Sequence, residues 1–447
     1  MFKIGFSKTD IEPALSSEND MSEERIEAVA VYFESLDSRA LWVSFDFMDF
    51  SRMITDSLRR KIASVSSLCD DEIHILTTHN HGGGRPDVDA LCELAGQCAL
   101  EAIMKAEEAT IKIAATRCDK QISVMRRLFI PELCGVATLY FGASEKNNFN
   151  SLLFKENVIK NTAEFKECHT TENVATSECV PFLSGDDEIV ALEFLRSNGE
   201  TIGSIVRFAC HAVCSNRSGV YSSDYPYHVR RVMQEALGGI SIFLNGPCAE
   251  IAPAIVDKYE GGQKRIGEYI ATLALRALSE SEAQAVKVFK DSKAEIKLPV
   301  REELLNDKAS LPIFTPETLP EKRKYLENAR LSRTLPFLRG KYSEGEEALS
   351  DRISVYLGLL QINDLLIVAF PGETFSATGK GIKKEFSDLT VCTVTEHERT
   401  VMYLPPLDEC EKGGYESVCR VTAKDAESIL SKDAVLHIKS FLNEKKL

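Results

Sequence analysis

The apolar positions of this 447-residue chain alternate between two spacings. Compact runs at 28–33, 40–47 and 72–78 are bounded by polar turns, which is typical of β-strands. Between and after them, 52–68 and 88–108 space their apolar residues as one face of an amphipathic helix does. Strands that alternate with helices in this way indicate an α/β architecture.

Pairs of these runs are joined by short turns that contain Asn or Asp. The pairs are 28–33 with 40–47, 189–195 with 202–209, and 355–362 with 365–370. Each predicts an antiparallel hairpin, which excludes a purely parallel sheet. We therefore predict an α/β (α+β) fold with mixed β-sheets in the core and helices packed outside.

The remaining pattern gives further elements and a domain organisation. Strands are predicted at 3–10, 109–116, 240–244 and 389–394, and helices at 224–237, 261–278, 318–330, 344–350 and 423–443. No internal repeat, low-complexity tract or linker is visible in the sequence. We predict a single domain over 1–447, with the polar regions 145–185 and 300–350 as inserts or a lid.

Charge and composition narrow the class of partner. A net charge of -15 offers no basic face for phosphates, which argues against nucleic acid. No apolar run approaches the ~20 residues of a membrane span, so we expect a small-molecule substrate and no stable membrane insertion. The 13 cysteines are scattered without a CxxC pair, and no secretory signal is visible, so we expect a cytoplasmic protein. The oligomeric state cannot be read from the sequence.

The stretch 77–87, which begins at the end of the 72–78 strand, is the first candidate for chemistry. His79 and His81 stand two apart and project to the same side of an extended backbone. Gly82, Gly83 and Gly84 follow and leave room for a ligand to approach. A pair of histidines also occurs on ordinary surfaces, so a metal site requires further ligands from elsewhere in the chain.

Three other stretches supply candidates. His211 ends the second strand of the second hairpin. Glu373 follows Pro371-Gly372, directly after the third hairpin, and Tyr415 follows a double-glycine turn. Taken singly, each has a structural interpretation: a buried histidine, a helix N-terminal glutamate and a surface turn. Several lie directly after strands, where α/β sheets place their active sites.

Together these stretches resemble the neutral/alkaline (non-lysosomal) ceramidase family, in its catalytic N-terminal domain. The matching segments, in the family's order, are Ile4–Pro13, Thr78–Gly82, His211 with Ser222–Pro226, Pro371–Glu373 and Gly413–Glu416. They extend from residue 4 to residue 416, so the resemblance covers nearly the whole chain.

The resemblance implies one catalytic Zn²⁺ and a set of site residues. The implied metal ligands are His79, His211, Glu373 and Tyr415. His81 would face the substrate and act as general acid. Arg126 would lie near the scissile amide, with Arg127 an equally open alternative, and Asp224 would orient an imidazole from outside the ligand shell.

The chain departs from the family where a "GDxSP" pattern is usual. Here Ala249 and Glu250 replace Gly-Asp, and Ala252 replaces the serine, which removes any serine nucleophile at that position. The predicted closing helix also leads us to expect no C-terminal immunoglobulin-like domain.

The sequence thus predicts a zinc-dependent hydrolase, an amidase that cleaves a C–N amide bond by a metal-activated water. Its substrate would be a small soluble amide or N-acyl compound. Two alternatives stay open: metal-dependent hydrolysis or cyclisation at another carbonyl (an ester, lactone or cyclic amide), and a metal-binding homologue without catalysis.

Overall fold

The computed structural model describes residues 1–15, 19–120, 122–130, 134–138, 185–214, 220–253, 262–305, 320–342 and 349–443. The strands are β1 Lys3–Asp10, β2 Asp20–Met21, β3 Glu27–Glu34, β4 Arg39–Phe45, β5 Ile73–Thr77, β6 Glu107–Glu108, β7 Thr110–Arg117, β8 Ser123–Met125, β9 Arg127–Ile130, β10 Gly135–Thr138, β11 Glu188–Leu195, β12 Thr201–Phe208, β13 Val220–Tyr221, β14 Ile240–Asn245, β15 Ile251–Pro253, β16 Gln284–Ala285, β17 Phe289–Pro299, β18 Arg352–Ile362, β19 Leu365–Ala369, β20 Glu373–Thr374, β21 Thr390–Val394 and β22 Tyr403–Leu404. The α-helices are α1 Arg52–Val65, α2 Val88–Met104, α3 Tyr225–Leu237, α4 Gly262–Ser279, α5 Glu302–Leu305, α6 Glu321–Lys341, α7 Ser376–Glu385, α8 Leu407–Lys412, α9 Tyr415–Val418 and α10 Ala426–Asn443.

Three mixed sheets form the centre of the described structure. Their strand orders are β5-β4-β3-β1-β6, β14-β12-β11-β7-β16 and β17-β18-β19-β21. Short two-stranded pairings, among them β20 with β22 and β15 with β8, surround the ends of these sheets. The predicted mixed sheets with helices outside are confirmed.

Each sheet contains the same local topology: a hairpin, a helix, and a strand parallel to the second hairpin strand. The units are β3-β4-α1-β5, β11-β12-α3-β14 and β18-β19-α7-β21. A crossover helix is what allows the last strand to run parallel to its neighbour. The repetition is one of topology, which explains why the sequence shows no repeat.

A shared apolar core lies between the three sheets. Phe33 and Trp42 of the first sheet, Phe194 of the second and Ile367 of the third belong to one buried cluster. The Phe33 ring stacks on Phe289 at the start of β17, with centroids 5.8 Å apart. Because the sheets share one core, their strand ends are fixed relative to one another, and the loops after those ends meet.

The sequence analysis missed two elements of ten or more residues, strand β17 and helix α7. Strand β17 pairs with β18 along its whole length, yet its charged residues alternate with few apolar ones. Only a few of its side chains are buried, so the apolar pattern that signals a strand is absent. This part of the chain is held by its backbone ladder to β18.

The predicted inserts are described only in part. The helix predicted at 318–330 is longer, Glu321–Lys341. The 145–185 region lies almost wholly outside the described residues, as does most of the predicted helix at 344–350. Whether the chain is a single domain stays a prediction. None of the described helices combines the length and apolarity needed to cross a bilayer.

Arg207 forms a buried ion pair and also connects the second sheet to the third. Arg207 of β12 donates to the Asp186 carboxylate (2.6 Å) and to the Thr393 carbonyl of β21 (2.8 Å). Burial alone would raise the pKa of Asp186, but Arg207 and Lys383 outweigh it and hold that pKa below its ordinary value.

We expect Asp186→Asn to destabilise the fold by about 3–5 kcal/mol at pH 7, since it leaves a buried guanidinium unpaired. Because the folded pKa of Asp186 is depressed, its contribution is complete above about pH 4 and is lost as the pH falls further. The gap between wild type and variant in urea unfolding should therefore narrow from pH 7 to pH 3.

Asp187→Asn is the matched control. Asp187 pairs with Arg117 at the surface, where an ion pair is worth at most about 1 kcal/mol. Equal losses for the two variants would contradict the role assigned to the Arg207–Asp186 pair.

Candidate metal centre

The three topological units converge at the carboxyl ends of their strands. His79 follows β5, His211 follows β12, and Glu373 follows β19 after the turn at Pro371 and Gly372. Ligand crevices in α/β sheets lie outside such strand ends. Residues that are far apart in the sequence are therefore brought to one point by the packing of the sheets.

Three buried polar atoms face one another at this point. Glu373 Oε2 lies 3.4 Å from His79 Nε2 and 3.3 Å from His211 Nε2. All three atoms are buried and have no hydrogen-bond partner among the described residues. Two imidazole nitrogens and a carboxylate oxygen left unpaired are a donor set that suits Zn²⁺.

The outer nitrogens of both rings are already engaged. His211 Nδ1 lies 2.9 Å from each of the Cys248 and Ile251 carbonyls. His79 Nδ1 lies 3.1 Å from the Met48 carbonyl and 3.3 Å from Glu396 Oε1. These acceptors place an N–H on Nδ1 of each ring, so Nε2 is the nitrogen that faces the donor set and would bind a metal, as in metal-binding histidines.

The charges at the centre are balanced by a proton. Burial would lower the pKa of His79, but Glu396 and Glu373 outweigh it and raise it to about 9. The pKa of His211 falls to about 4 through burial, with Arg126 and His79 adding to the effect. His79 and His211 hold the pKa of Glu373 well below its ordinary value in spite of burial. A bound dication would take over the balancing role of the His79 proton.

One buried amide fixes the distances between the units. Asn245, at the end of β14, donates from Nδ2 to the Thr78 and Cys210 carbonyls, both at 3.1 Å. Its Oδ1 accepts the Cys210 N–H, and its backbone carbonyl accepts the Thr395 N–H. Thr78 and Cys210 immediately precede His79 and His211, so Asn245 sets the position of both ligand segments.

His81 lies beside this donor set and is more open to solvent. Its ring centroid is 5.1 Å from that of His79 and 6.0 Å from that of His211. His79, His81 and His211 offer ligand atoms that lie within 4.8 Å of one another. Desolvation by the surrounding protein, with His79 and His211 adding to it, holds the pKa of His81 well below its ordinary value, although part of the ring is exposed.

The structure separates the two neighbouring arginines. Arg126 donates to Glu416, to the Ala249 carbonyl and to the Tyr403 hydroxyl (3.0 Å), and its charge acts on His211. Arg127 has a different set of partners.

Arg127 donates to Glu416, to Glu409 and to the Gly413 carbonyl, and so fastens the double-glycine turn. Of the two alternatives, Arg126 is therefore the one that lies toward the donor set.

Tyr403 is a candidate site residue that the sequence analysis missed. Its backbone pairs with that of Glu373 between β22 and β20. Burial, with Glu373 nearby, holds its pKa well above the ordinary value, so its hydroxyl stays protonated. No motif surrounds it, and only the parallel pairing of two short strands reveals its position.

The other predicted site residues are placed as follows. Tyr415 packs its ring against Tyr403, with centroids 5.5 Å apart, and its role as fourth ligand stays a prediction. Asp224 caps helix α3 by accepting the Tyr225 N–H. The orienting contacts on the outer nitrogens of His79 and His211 come from other groups, so the role of Asp224 stays a prediction.

At the departure from the family pattern, Glu250 has a structural contact. Its carboxylate accepts the N–H and the hydroxyl of Ser376 at the first turn of α7. A negative charge is favourable at a helix N-terminus. Ala252 is buried in β15 opposite Val124.

A second group, Glu23, Glu24 and His228, has metal-ligand residue types but different chemistry. The Glu24 carboxylate is occupied by His228 Nε2 (3.1 Å), Gln263 (3.1 Å) and Ser222 (3.3 Å). His228 Nδ1 has no hydrogen-bond partner within the described ranges, whereas a metal-bound imidazole donates its outer N–H. This group is best explained as a buried hydrogen-bonded pair.

Comparison with known proteins identifies the fold. The structure matches neutral ceramidase from Pseudomonas aeruginosa with a TM-score of 0.67 at 14% sequence identity, covering 100% of this chain and 76% of that one. A ceramidase complexed with C2 matches with a TM-score of 0.66, at the same identity and coverage. No family model matches the sequence, and no curated protein sequence matches it. The predicted neutral-ceramidase-like fold is confirmed.

We expect Zn²⁺ to raise the thermal unfolding temperature of the chelator-treated protein. A ligand at 1,000 times its Kd stabilises the folded state by about 4 kcal/mol. His79→Ala should abolish this shift, because it removes one of the three converging atoms.

His81→Ala should keep the shift and bind zinc stoichiometrically. Equal loss of zinc in both variants, measured by metal analysis, would instead make His81 a ligand. No shift in the wild type would rule out the site.

Proposed function

We propose that this chain is a zinc-dependent amidohydrolase that cleaves the C–N amide bond of a small soluble amide or N-acyl compound. The observation that carries the proposal is the convergence of buried atoms from His79, His211 and Glu373 that have no hydrogen-bond partner among the described residues. The fold, shared with structures named as ceramidases, supports a hydrolase.

The chain's own residues would hold the metal through His79, His211 and Glu373, with Tyr415 as the fourth ligand. Zinc in such a site lowers the pKa of a water ligand to about 7 and so supplies a nucleophile at neutral pH. The carbonyls of Met48, Cys248 and Ile251 keep the two rings in the tautomer that binds.

His81 is placed to move the proton that amide cleavage requires. Its lowered pKa keeps the ring neutral at pH 7, so it can take up a proton as the carbonyl is attacked. The same lowered pKa makes the protonated His81 ring a stronger acid than an ordinary imidazolium, so it can then pass that proton to the leaving nitrogen. Its exposure on the open side of the site fits contact with substrate.

Tyr403 and Arg126 would stabilise the charge that develops on the carbonyl oxygen. Because Arg126 donates to the Tyr403 oxygen, the Tyr403 O–H remains able to donate to another acceptor. Glu416 fixes the guanidinium from the far side. Preorganised donors of this kind are worth about 10²–10³ in rate each.

The test of this function is a matched set of substrates with the zinc-loaded protein. An N-acyl amino acid, its ester analogue and a lactone should be compared with and without a chelator. Zinc-dependent release of free amine supports the proposal. Turnover of the ester or lactone alone would favour the other carbonyl chemistry, and no turnover with stoichiometric zinc would favour a metal-binding homologue.

We expect Tyr403→Phe to lower kcat for the amide by about 10²-fold, since it removes one donor to the developing oxyanion. Zinc content and unfolding temperature should stay near the wild-type values. Tyr32→Phe, which removes a hydroxyl bonded to Glu34 in the first sheet, is the control and should leave kcat unchanged. An unchanged kcat for Tyr403→Phe would exclude this role.

A further inference from the structure

The segment Thr395–Glu398, after β21, has an unusual backbone. Glu396 and Glu398 have positive φ angles of 56° and 63°. Residues other than glycine rarely adopt this backbone conformation. Where they do, the surrounding structure enforces it, often at functional sites. Glu396, His397 and Glu398 are three consecutive titratable residues, all of them buried.

The backbone of this segment joins the first and third topological units. The Glu396 carbonyl accepts the Thr77 N–H (3.2 Å), while its own N–H donates to the Gly372 carbonyl (3.3 Å). One residue thus bridges the segment that leads to His79 and the one that leads to Glu373. The Glu398 N–H adds a bond of 2.7 Å to the Ile75 carbonyl of β5.

The Glu396 side chain points at the outer nitrogen of His79. Its Oε1 lies 3.3 Å from His79 Nδ1, whose hydrogen bond goes to the Met48 carbonyl, and it has no hydrogen-bond partner among the described residues. The side chain is fully enclosed, at 3% exposure for the residue. A buried carboxylate oxygen without another partner needs a positively polarised neighbour, and His79 is the one within reach.

The neighbouring residues of the segment have other partners. His397 lies 2.9 Å from His74 through their ring nitrogens, and Glu398 pairs with Arg59 and Lys293. These partners belong to β5, α1 and β17, and none of them is a residue of the donor set. They anchor the strained backbone, while Glu396 alone of the three faces a metal-binding candidate.

We propose that Glu396 is a positioning residue for the metal centre, an inference that rests on the proposed zinc site. Its carboxylate holds the His79 ring in the metal-binding tautomer and increases the electron density on Nε2, and its backbone sets the spacing of His79 and Glu373. It touches neither substrate nor metal. Loss of such an outer carboxylate typically weakens metal binding about 10- to 100-fold.

The experiment compares Glu396→Ala and Glu396→Gln with Glu398→Gln in the full chain. Zinc affinity is measured by chelator competition, unfolding temperature by calorimetry, and coordination by the visible spectrum of the Co²⁺-substituted protein. We expect the Glu396 variants to bind zinc stoichiometrically but about 10- to 100-fold more weakly, with Co²⁺ band intensities unchanged. Glu398→Gln should lower the unfolding temperature and leave zinc affinity within about twofold of wild type.

Each other outcome overturns the proposal in a distinguishable way. If the wild type binds zinc and the Glu396 variants match it within about twofold, only the positioning role fails. If they lose stoichiometric zinc or change the Co²⁺ spectrum, Glu396 is a ligand. If the wild type itself binds no zinc, the metal site and the proposed function fail as well. Should Glu396→Ala not fold, the test rests on Glu396→Gln alone, because glutamine preserves the shape of the side chain.

Discussion

The buried amide of Asn245 is the contact on which the arrangement of this site depends. Three sheets each end in a loop with free backbone groups, and those loops must meet without water to satisfy them. Asn245 offers both a donor and an acceptor, so one side chain satisfies Thr78 and Cys210 together, and its carbonyl adds Thr395. A smaller or apolar residue could not satisfy these groups, and a carboxylate could not donate.

Around that contact the site is organised as a closed side and an open side. On the closed side the carbonyls of Met48, Cys248 and Ile251 engage the outer nitrogens of His79 and His211. On the open side stands His81, with solvent access and a neutral ring. This division separates the residues that would hold a cation from the one that would exchange protons with substrate.

The charge of the donor set explains why a cation fits there. A buried carboxylate next to two imidazoles in low dielectric needs a compensating positive charge, and a proton on His79 supplies one. The arginines do not serve this purpose, because Glu416 engages both Arg126 and Arg127. The negative charge of Glu373 therefore favours a dication at the donor set.

Much of the fold could be predicted from the local pattern of apolar and polar residues in the sequence. The three hairpins and the crossover helices of the first two units were predicted because strand and helix spacings differ over short windows, and antiparallel pairing needs only a turn. Strand β17 was missed because its ladder to β18 is made by backbone groups, which leave no trace in side-chain type. The parallel edge strands were predicted as strands but could not be assigned partners.

The sequence by itself determined which residues carry imidazole and carboxylate groups after strands; His79, His211 and Glu373 were named as candidates on that ground, and as metal ligands through the family resemblance. Only the tertiary structure decided that their atoms face one another at 3.3 to 3.4 Å, that Tyr403 stands beside them, and that Glu396 faces the back of His79. The reason is physical: side-chain chemistry is local and readable, whereas distances between loops are set by how three sheets pack on one core.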